Sequence, residues 1–310
     1  MDKAVTHFLG VDVGGTHLKI GLVDKDGQIV DFQKEDTTPF RDHQDGFGPA
    51  FIAGLAKYFE KYPEVEKVGI GLPGLISKDR TTPLEIPAIP GLNNFNLKEG
   101  LKNAYPDKEF FLENDAAAAA IGEFYFGKDD PSDNFLFITM GTGIGSALVL
   151  DGEVFKGSRG NAMEMGHMLS KGSARLETLI GRKGILDILE RMIAAYPDKA
   201  GRLAGAELGT HLLVDTAKEG NEVSLMVFKE VGLMLGEAIV STIRILDVTE
   251  VYFGGGISAG LEFMLPEIER TIRQYLTIYY NKDLVLKKAT LENNAGTLGA
   301  AALCFMGSGL

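Results

Sequence analysis

The sequence predicts an α/β protein of two domains with a cleft between them. Three observations lead there. Strand-like and helix-like stretches alternate along the first third, a strand–turn–strand unit near the start recurs in the middle, and three strand-like runs, VDVGGTH, ITMGTGIG and VYFGGGIS, end in glycine turns. The chain has 310 residues, 45% of them apolar, a length that suits two hydrophobic cores better than one.

HFLGVDVG, HLKIGLVD and QIVDFQKE are short runs joined by glycine-containing turns, the pattern of three antiparallel strands, the first starting around residue 4. Residues 47–61 carry apolar side chains at helical spacing. KVGIGL reads as a strand. LPGLISKDRTTPLEIPAIPGLNNF is a long Pro- and Gly-rich loop, of a kind that is usually functional or disordered. A short helix near 97–104 and the strand EFFL follow. FFLENDAAAAA then places Glu113, Asn114 and Asp115 at the end of an apolar strand and opens a helix with five alanines.

Beyond it, NFLFITMGTGIGSALVLDGEV resembles HFLGVDVGGTHLKIGLVDKDGQI. With Phe8 laid on Phe135, Gly14 falls on Gly141 and Asp24 on Asp151. A repeat of one supersecondary unit predicts two sister domains facing each other. GRKGILDILERMIAAY, residues 203–219 and residues 222–246 have helical periodicity; TEVYFGGGIS is a strand, 261–279 a helix, DLVLKKA strand-like, and AGTLGAAALCFM a closing helix of small residues. The boundary is expected at the start of the alanine helix. That gives 1–115 as a smaller domain, completed by a C-terminal helix at about 296–310, and 116–295 as a larger one.

Composition excludes several classes. Lys and Arg number 31 against 43 Asp and Glu, a net charge of −12, so nothing marks a nucleic-acid binder. The single cysteine, Cys304, permits no internal disulfide and, within GAAALCFMG, is expected to pack in a core. No long apolar segment precedes the first strand-like run. Neither a signal peptide nor a membrane span is expected, and the cytoplasm is the expected compartment.

A glycine turn exposes backbone N–H groups with no side chain in the way, which suits phosphate oxygens. A single such turn is equally a hairpin that needs positive φ. Three together point to a nucleotide held between domains. A dinucleotide fingerprint is disfavoured because VGGT and GTGIG each lead into another strand-like run, and no GK[ST] completes a P-loop. Asp12 interrupts an apolar strand just before Gly14. A buried unpaired carboxylate is costly, and a Mg2+ reached directly or through water would offset that cost. The alternative is a carboxylate that caps the neighbouring turn.

VDVGGTH, GLPG, ENDAAAAAIGE, GTGIGSALVLDGEVFKGSRGNAMEMGH and FGGGIS, in this order, resemble the ROK family of bacterial sugar kinases and repressors over nearly the whole chain. The resemblance implies the actin-like, ribonuclease-H-like ATPase fold, with ATP and sugar in the cleft of two α/β domains. It implies that Asp115 is the catalytic base. A strand end would fix its angle and the following helix N-terminus would favour its ionised form. Asn114 would donate and accept toward the sugar, although Asn-Asp is also a good helix N-cap. Glu164 and His167 of MEMGH are implied to bind adjacent sugar hydroxyls, Glu177 to make a further sugar contact, and Gly74 to contact sugar from its loop.

The implied activity moves the γ-phosphoryl of Mg-ATP to the 6-hydroxyl of a hexose, with domain closure excluding water. Gly14, Gly15, Thr16, Gly141, Thr142 and Gly143 would hold phosphates, Gly255 and Gly256 would border the adenosine, and Asp12 would serve Mg2+. Glucose is the preferred acceptor, with N-acetylmannosamine or N-acetylglucosamine as alternatives and polyphosphate as an alternative donor. A homodimer is the family's expectation. The chain also departs from the family. Many members bind structural zinc through three cysteines after the equivalent histidine; HMLSKGSARLE has none, so no zinc is expected. His17 stands where Lys is frequent, with Lys19 two residues on, and Ala88 aligns with a sugar-contacting Pro-Asn pair. Two other classes remain open. A sugar-responsive regulator is disfavoured by the absence of room for a DNA-binding head. A sensor without catalysis is disfavoured by the presence of Asp115, Glu164 and His167.

Overall fold

The computed structural model describes residues 7–129 and 131–306. The expected first residues of the opening strand, 4–6, and the last four of the closing helix lie outside them. Strand β1 (His7–Val13) pairs antiparallel with β2 (His17–Asp24), Gly10 opposite Gly21 and Asp12 opposite Lys19. Strand β3 (Ile29–Asp36) continues the antiparallel ribbon as an edge strand, its residues alternately half-buried and exposed. Helices α1 (Thr38–Arg41), α2 (Phe47–Gly54) and α3 (Ala56–Lys61) follow. The expected helix over 47–61 is thus divided at Leu55, whose N–H bonds to Ile52 O rather than one residue further back.

Strand β4 (Lys67–Leu72) lies parallel to β1. The long loop folds into a hairpin of β5 (Leu75–Ile76) and β6 (Pro83–Glu85). After α4 (Leu97–Ala104), β7 (Glu109–Asn114) pairs parallel with β4, completing the order β3-β2-β1-β4-β7. The parallel strands read as near-continuous apolar runs because both their faces are covered. Leu9, Val11, Val68, Ile70, Leu72, Phe110 and Leu112 meet Phe47, Phe51 and Leu101 in one core.

The alanine helix α5 (Asp115–Phe126) starts directly from β7. The second sheet contains β8 (Phe135–Met140), β9 (Ile144–Leu150) and β10 (Glu153–Val154). Helices α6 (Leu176–Ile180), α7 (Arg182–Ala195), α8 (Thr210–Lys218) and α9 (Glu222–Leu246) precede β11 (Glu250–Gly254). Helices α10 (Leu261–Tyr275) and α11 (Ile278–Asn281), strand β12 (Val285–Lys288) and helix α12 (Ala295–Met306) end the described chain. The order β10-β9-β8-β11-β12 reproduces that of the first sheet, so the repeat seen in the sequence is a repeat of topology.

Two helices are shorter than expected. Residues 203–209 stay outside α8 because Gly205 takes φ 74° and Gly209 is extended. The helix expected over 261–279 stops at Tyr275, where extended Leu276 separates α10 from α11. No helix of the described residues is long and apolar enough to cross a membrane.

By contacts, the described parts of residues 1–133, 148–163 and 293–310 form one compact unit, and 134–147 with 164–292 a second. Helix α5 groups with the first unit, where the expected boundary put it in the second, because it packs along α12. That packing is close. A Cβ at Gly299 of α12 would lie 2.0 Å from the Ala118 carbonyl oxygen of α5. On the sheet side, a Cβ at Gly69 of β4 would lie 1.7 Å from Ala300 O, and one at Gly10 of β1 2.2 Å from Thr297 O. Small residues here let backbone meet backbone. In the second unit, Asn221 caps the long buried helix α9 by accepting from the Ser224 N–H at 3.0 Å, and Gly232 of α9 lies against Met264 of α10.

Gly299→Ala forces backbone against backbone and is expected to lower the unfolding free energy by about 1–3 kcal/mol. Gly209→Ala, where a Cβ meets nothing within 4 Å, is expected to be near neutral. Urea titrations of the two variants read the difference.

Candidate active site

In the first unit, Asp12, Gly71 and Glu113 occupy one row across β1, β4 and β7, at the carboxyl ends of the parallel strands. In open α/β sheets that edge is where ligands bind. One residue on, Asn114 is the N-cap of α5 and Asp115 its first residue. Asn114 Oδ1 accepts from the N–H groups of Ala116 and Ala117 at 3.0 and 3.1 Å, and its Nδ2 donates to Gly74 O at 3.1 Å. The amide expected both to donate and to accept toward sugar therefore has its oxygen committed to the helix, while one amide hydrogen remains. Asp115 is partly exposed, and its Oδ1 accepts from the Ala116 N–H at 2.8 Å. Its position at a helix N-terminus favours the carboxylate form. Gly74, at φ 80°, packs so that a Cβ would sit 2.2 Å from Glu85 O; only glycine brings its carbonyl to Asn114.

Asp12 is not an unpaired charge. Lys19, its cross-strand neighbour, places Nζ 3.2 Å from Oδ2, so the cost of the carboxylate does not by itself call for a metal. Gly296 at the start of α12 lies against the same group, where a Cβ would be 2.5 Å from Oδ2. No cluster of three or more His, Cys, Asp or Glu that could hold a metal occurs among the described residues. One carboxylate suits a Mg2+ that keeps its waters and arrives with phosphates, rather than a protein-built cage.

The first glycine turn uses the Gly14 N–H itself, which donates to His17 O at 2.9 Å. Gly14 is thereby a turn-closing residue and not the free phosphate donor expected of it. Thr37, fully buried, donates from its N–H to Thr16 O at 2.9 Å and from Oγ1 to Gly14 O at 3.0 Å. The carbonyls of Gly14 and Thr16 are thus taken, and Gly15 and Thr16 remain to offer N–H groups. The sequence reading missed Thr37; its signal was a polar residue at the junction of β3 and the Thr-Pro helix start.

The second unit repeats the device. The Gly141 N–H donates to Gly143 O at 3.0 Å, and the Arg182 N–H, at the start of α7, lies 3.1 and 3.2 Å from the oxygens of Gly141 and Thr142. Thr142 and Gly143 correspond to Gly15 and Thr16 as donors. Gly255, at φ 80°, abuts the Met140 backbone beside this turn, and at Gly141 and Gly256 an added Cβ would meet nothing within 4 Å. These open glycine faces fit the approach of a nucleotide.

Glu164, His167 and Glu177 come together in the same unit. His167 Nδ1 lies 3.6 Å from Glu164 Oε2 and Nε2 3.2 Å from Glu177 Oε1. Glu177 also lies against the turn, where a Cβ on Gly143 would be 2.6 Å from Oε2. The segment after His167 closes on itself. Ser170 N–H bonds to Ala174 O at 2.8 Å and Leu176 N–H to Met168 O at 2.9 Å, around Gly172 and Ser173 at φ 66° and 61°. Backbone pairing holds the stretch, which contains no cysteine.

Paired five-stranded sheets of matching order, each with a glycine turn after its first strand, define the actin-like ATPase fold. The chain belongs to the ROK family, which it matches over residues 8–306. It is 29% identical to a glucokinase of Thermotoga maritima over 312 residues, 96% of each chain. Among solved structures it resembles a candidate sugar kinase from Cytophaga hutchinsonii at TM-score 0.92 and 36% identity, over 96% of this chain and 99% of that one. A ROK family glucokinase from Streptomyces griseus in complex with glucose and AMPPNP gives TM-score 0.81 at 26% identity, over 97% and 99%.

Thr37→Val strands the Gly14 carbonyl and is expected to cost about 1–3 kcal/mol of stability. Thr37→Ser, which keeps the hydroxyl, should recover most of it. Thermal and urea unfolding of the pair provide the check.

Proposed function

We propose that this protein is a sugar kinase that transfers the γ-phosphoryl group of Mg-ATP to the 6-hydroxyl of a hexose. Glucose is the preferred acceptor, and N-acetylmannosamine or N-acetylglucosamine are the alternatives. The observation that carries this reading is the setting of Asp115, a partly exposed carboxylate at the junction of β7 and α5, beside a helix cap that fixes its backbone. Membership of the ROK family and the resemblance to glucokinases support it.

In this reading Glu164, His167 and Glu177 bind sugar hydroxyls, with the remaining amide hydrogen of Asn114. Gly15, Thr16, Thr142 and Gly143 present N–H groups to phosphates, and Gly255 and Gly256 border the adenosine. Asp115 orients the 6-hydroxyl and takes its proton as the sugar oxygen bonds to the γ-phosphorus and the bond to the β-phosphate oxygen breaks, releasing ADP. Mg2+, when bound with the nucleotide, would neutralise charge on the phosphates, and Asp12 would hold it directly or through water. A cytoplasmic homodimer completes the proposal.

A coupled assay of ADP release over a panel of hexoses and N-acetylhexosamines, repeated with polyphosphate in place of ATP, tests it. Glucose with ATP is expected to give the highest kcat/KM. Asp115→Asn should lower kcat by about 10³-fold while sugar affinity holds within about threefold. Near-normal turnover in that variant, or no phosphorylated sugar in the panel, overturns the assignment.

A further inference from the structure

Glu113 has no part in the reaction above, yet it is a buried carboxylate, 2% exposed, one residue before Asn114. Its charge is met from two segments of the first unit. Arg80 Nε lies 2.9 Å from Oε1 and 3.0 Å from Oε2, and Lys156 Nζ lies 3.2 Å from Oε2. The same carboxylate accepts the backbone N–H of Asn114 at 2.9 Å through Oε1. Glu113 thus grips the peptide that carries Asn114 and leads into Asp115.

Arg80 is itself pinned. It sits at φ 56°, in the left-handed region that few side-chain-bearing residues adopt. Its Nη1 donates to Ser77 O at 3.2 Å and its Nη2 to Gly160 O at 2.6 Å. Beside it, the Asn161 amide bonds both ways to the backbone of Ile76, each contact at 2.9 Å. The β5–β6 hairpin, the end of β7 and the 156–161 segment are therefore tied at one guanidinium. The hairpin also supplies Gly74, whose carbonyl accepts from Asn114. Asn114 is held at its backbone through Glu113 and at its side chain through the hairpin, and Arg80 anchors both holds.

We propose that Arg80 and Glu113 are positioning residues that set the angle of Asp115 through the Asn114 peptide; the inference rests on the kinase reading. A planar guanidinium facing a carboxylate while donating to two carbonyls is a geometry lysine cannot reproduce. Displacing a catalytic group by about 1 Å costs roughly 10²-fold in rate. Neither residue touches a reacting atom, so the effect falls on kcat.

The place is also open to small molecules. A cavity of about 470 Å³ is lined by Arg80, Lys98, Glu113, Glu153 and Lys156 over a floor that includes Phe111. Guanidinium ion can enter it and occupy the space an Arg80→Ala change vacates.

The test uses the full chain and the best sugar of the panel, with kcat, both KM values and the thermal midpoint measured for Arg80→Ala, Arg80→Lys and Glu113→Gln. Arg80→Ala and Glu113→Gln are expected to lose about 10–100-fold in kcat with KM for ATP within about twofold. Arg80→Lys should recover little, and millimolar guanidinium should restore a large part of the Arg80→Ala loss without effect on wild type. Should Arg80→Ala fail to fold, the near-isosteric Glu113→Gln decides. A kcat within twofold of wild type in Glu113→Gln, a loss confined to KM or to the thermal midpoint, or full recovery by lysine overturns the positioning role. An active wild type with unaffected variants removes this inference alone, whereas a wild type inactive on every sugar removes the kinase reading and this inference with it.

Discussion

The first unit depends on one steric condition, that α12 lies directly on both α5 and the sheet. A Cβ at Gly299, Gly69 or Gly10 would fall between 1.7 and 2.2 Å from a backbone oxygen, so each contact is backbone on backbone and admits no side chain. Such contacts allow almost no sliding, because interiors are close-packed and respond to volume changes of even one methylene. With α12 seated, α5 is seated, and with it the junction where β7 ends and Asp115 begins. The five alanines of the opening motif serve this condition. They are strong helix formers with no bulk, and Ala118 and Ala120 are fully buried.

The repeat extends below the level of topology. In each unit the first glycine of the turn spends its own N–H on closing the turn, Gly14 onto His17 and Gly141 onto Gly143. In each, a donor from a later element takes the turn's carbonyls: Thr37 in the first, the Arg182 N–H in the second. With these carbonyls taken, the turn keeps its remaining N–H groups as donors, the polarity an anion requires. The two units reach this state with different chemistry, the hydroxyl and N–H of a buried threonine in one and a helix N-terminus in the other.

That difference explains what was legible in the sequence. The strand–turn–strand repeat, the antiparallel opening strands and the alanine helix were readable because periodicity and glycine placement are local properties. Helix ends were less so: Gly205 and Gly209 break a stretch whose apolar spacing is helical, and Leu55 divides another. The candidate carboxylates and the His167 cluster were visible as motifs. Their partners were not, since Lys19 reaches Asp12 through strand register and Arg80 reaches Glu113 across 33 positions of chain. Reading Asp12 as unpaired failed for that reason. A lone charge in an apolar strand has a partner that only the pairing of strands reveals.

The stretch after His167 is held by its own backbone. A hairpin of the kind formed by 168–176 sets its ends close together, and here the far end runs straight into α6, whose second residue is Glu177. Closing the hairpin therefore brings Glu177 back to His167, 3.2 Å from Nε2. Backbone pairs contribute about 1 kcal/mol each, and Ser173 carries the strain of a left-handed residue against them. Glu177 is also seated from its other side against Gly143, where no side chain intervenes. The hairpin has only to deliver the glutamate to a place already shaped to receive it.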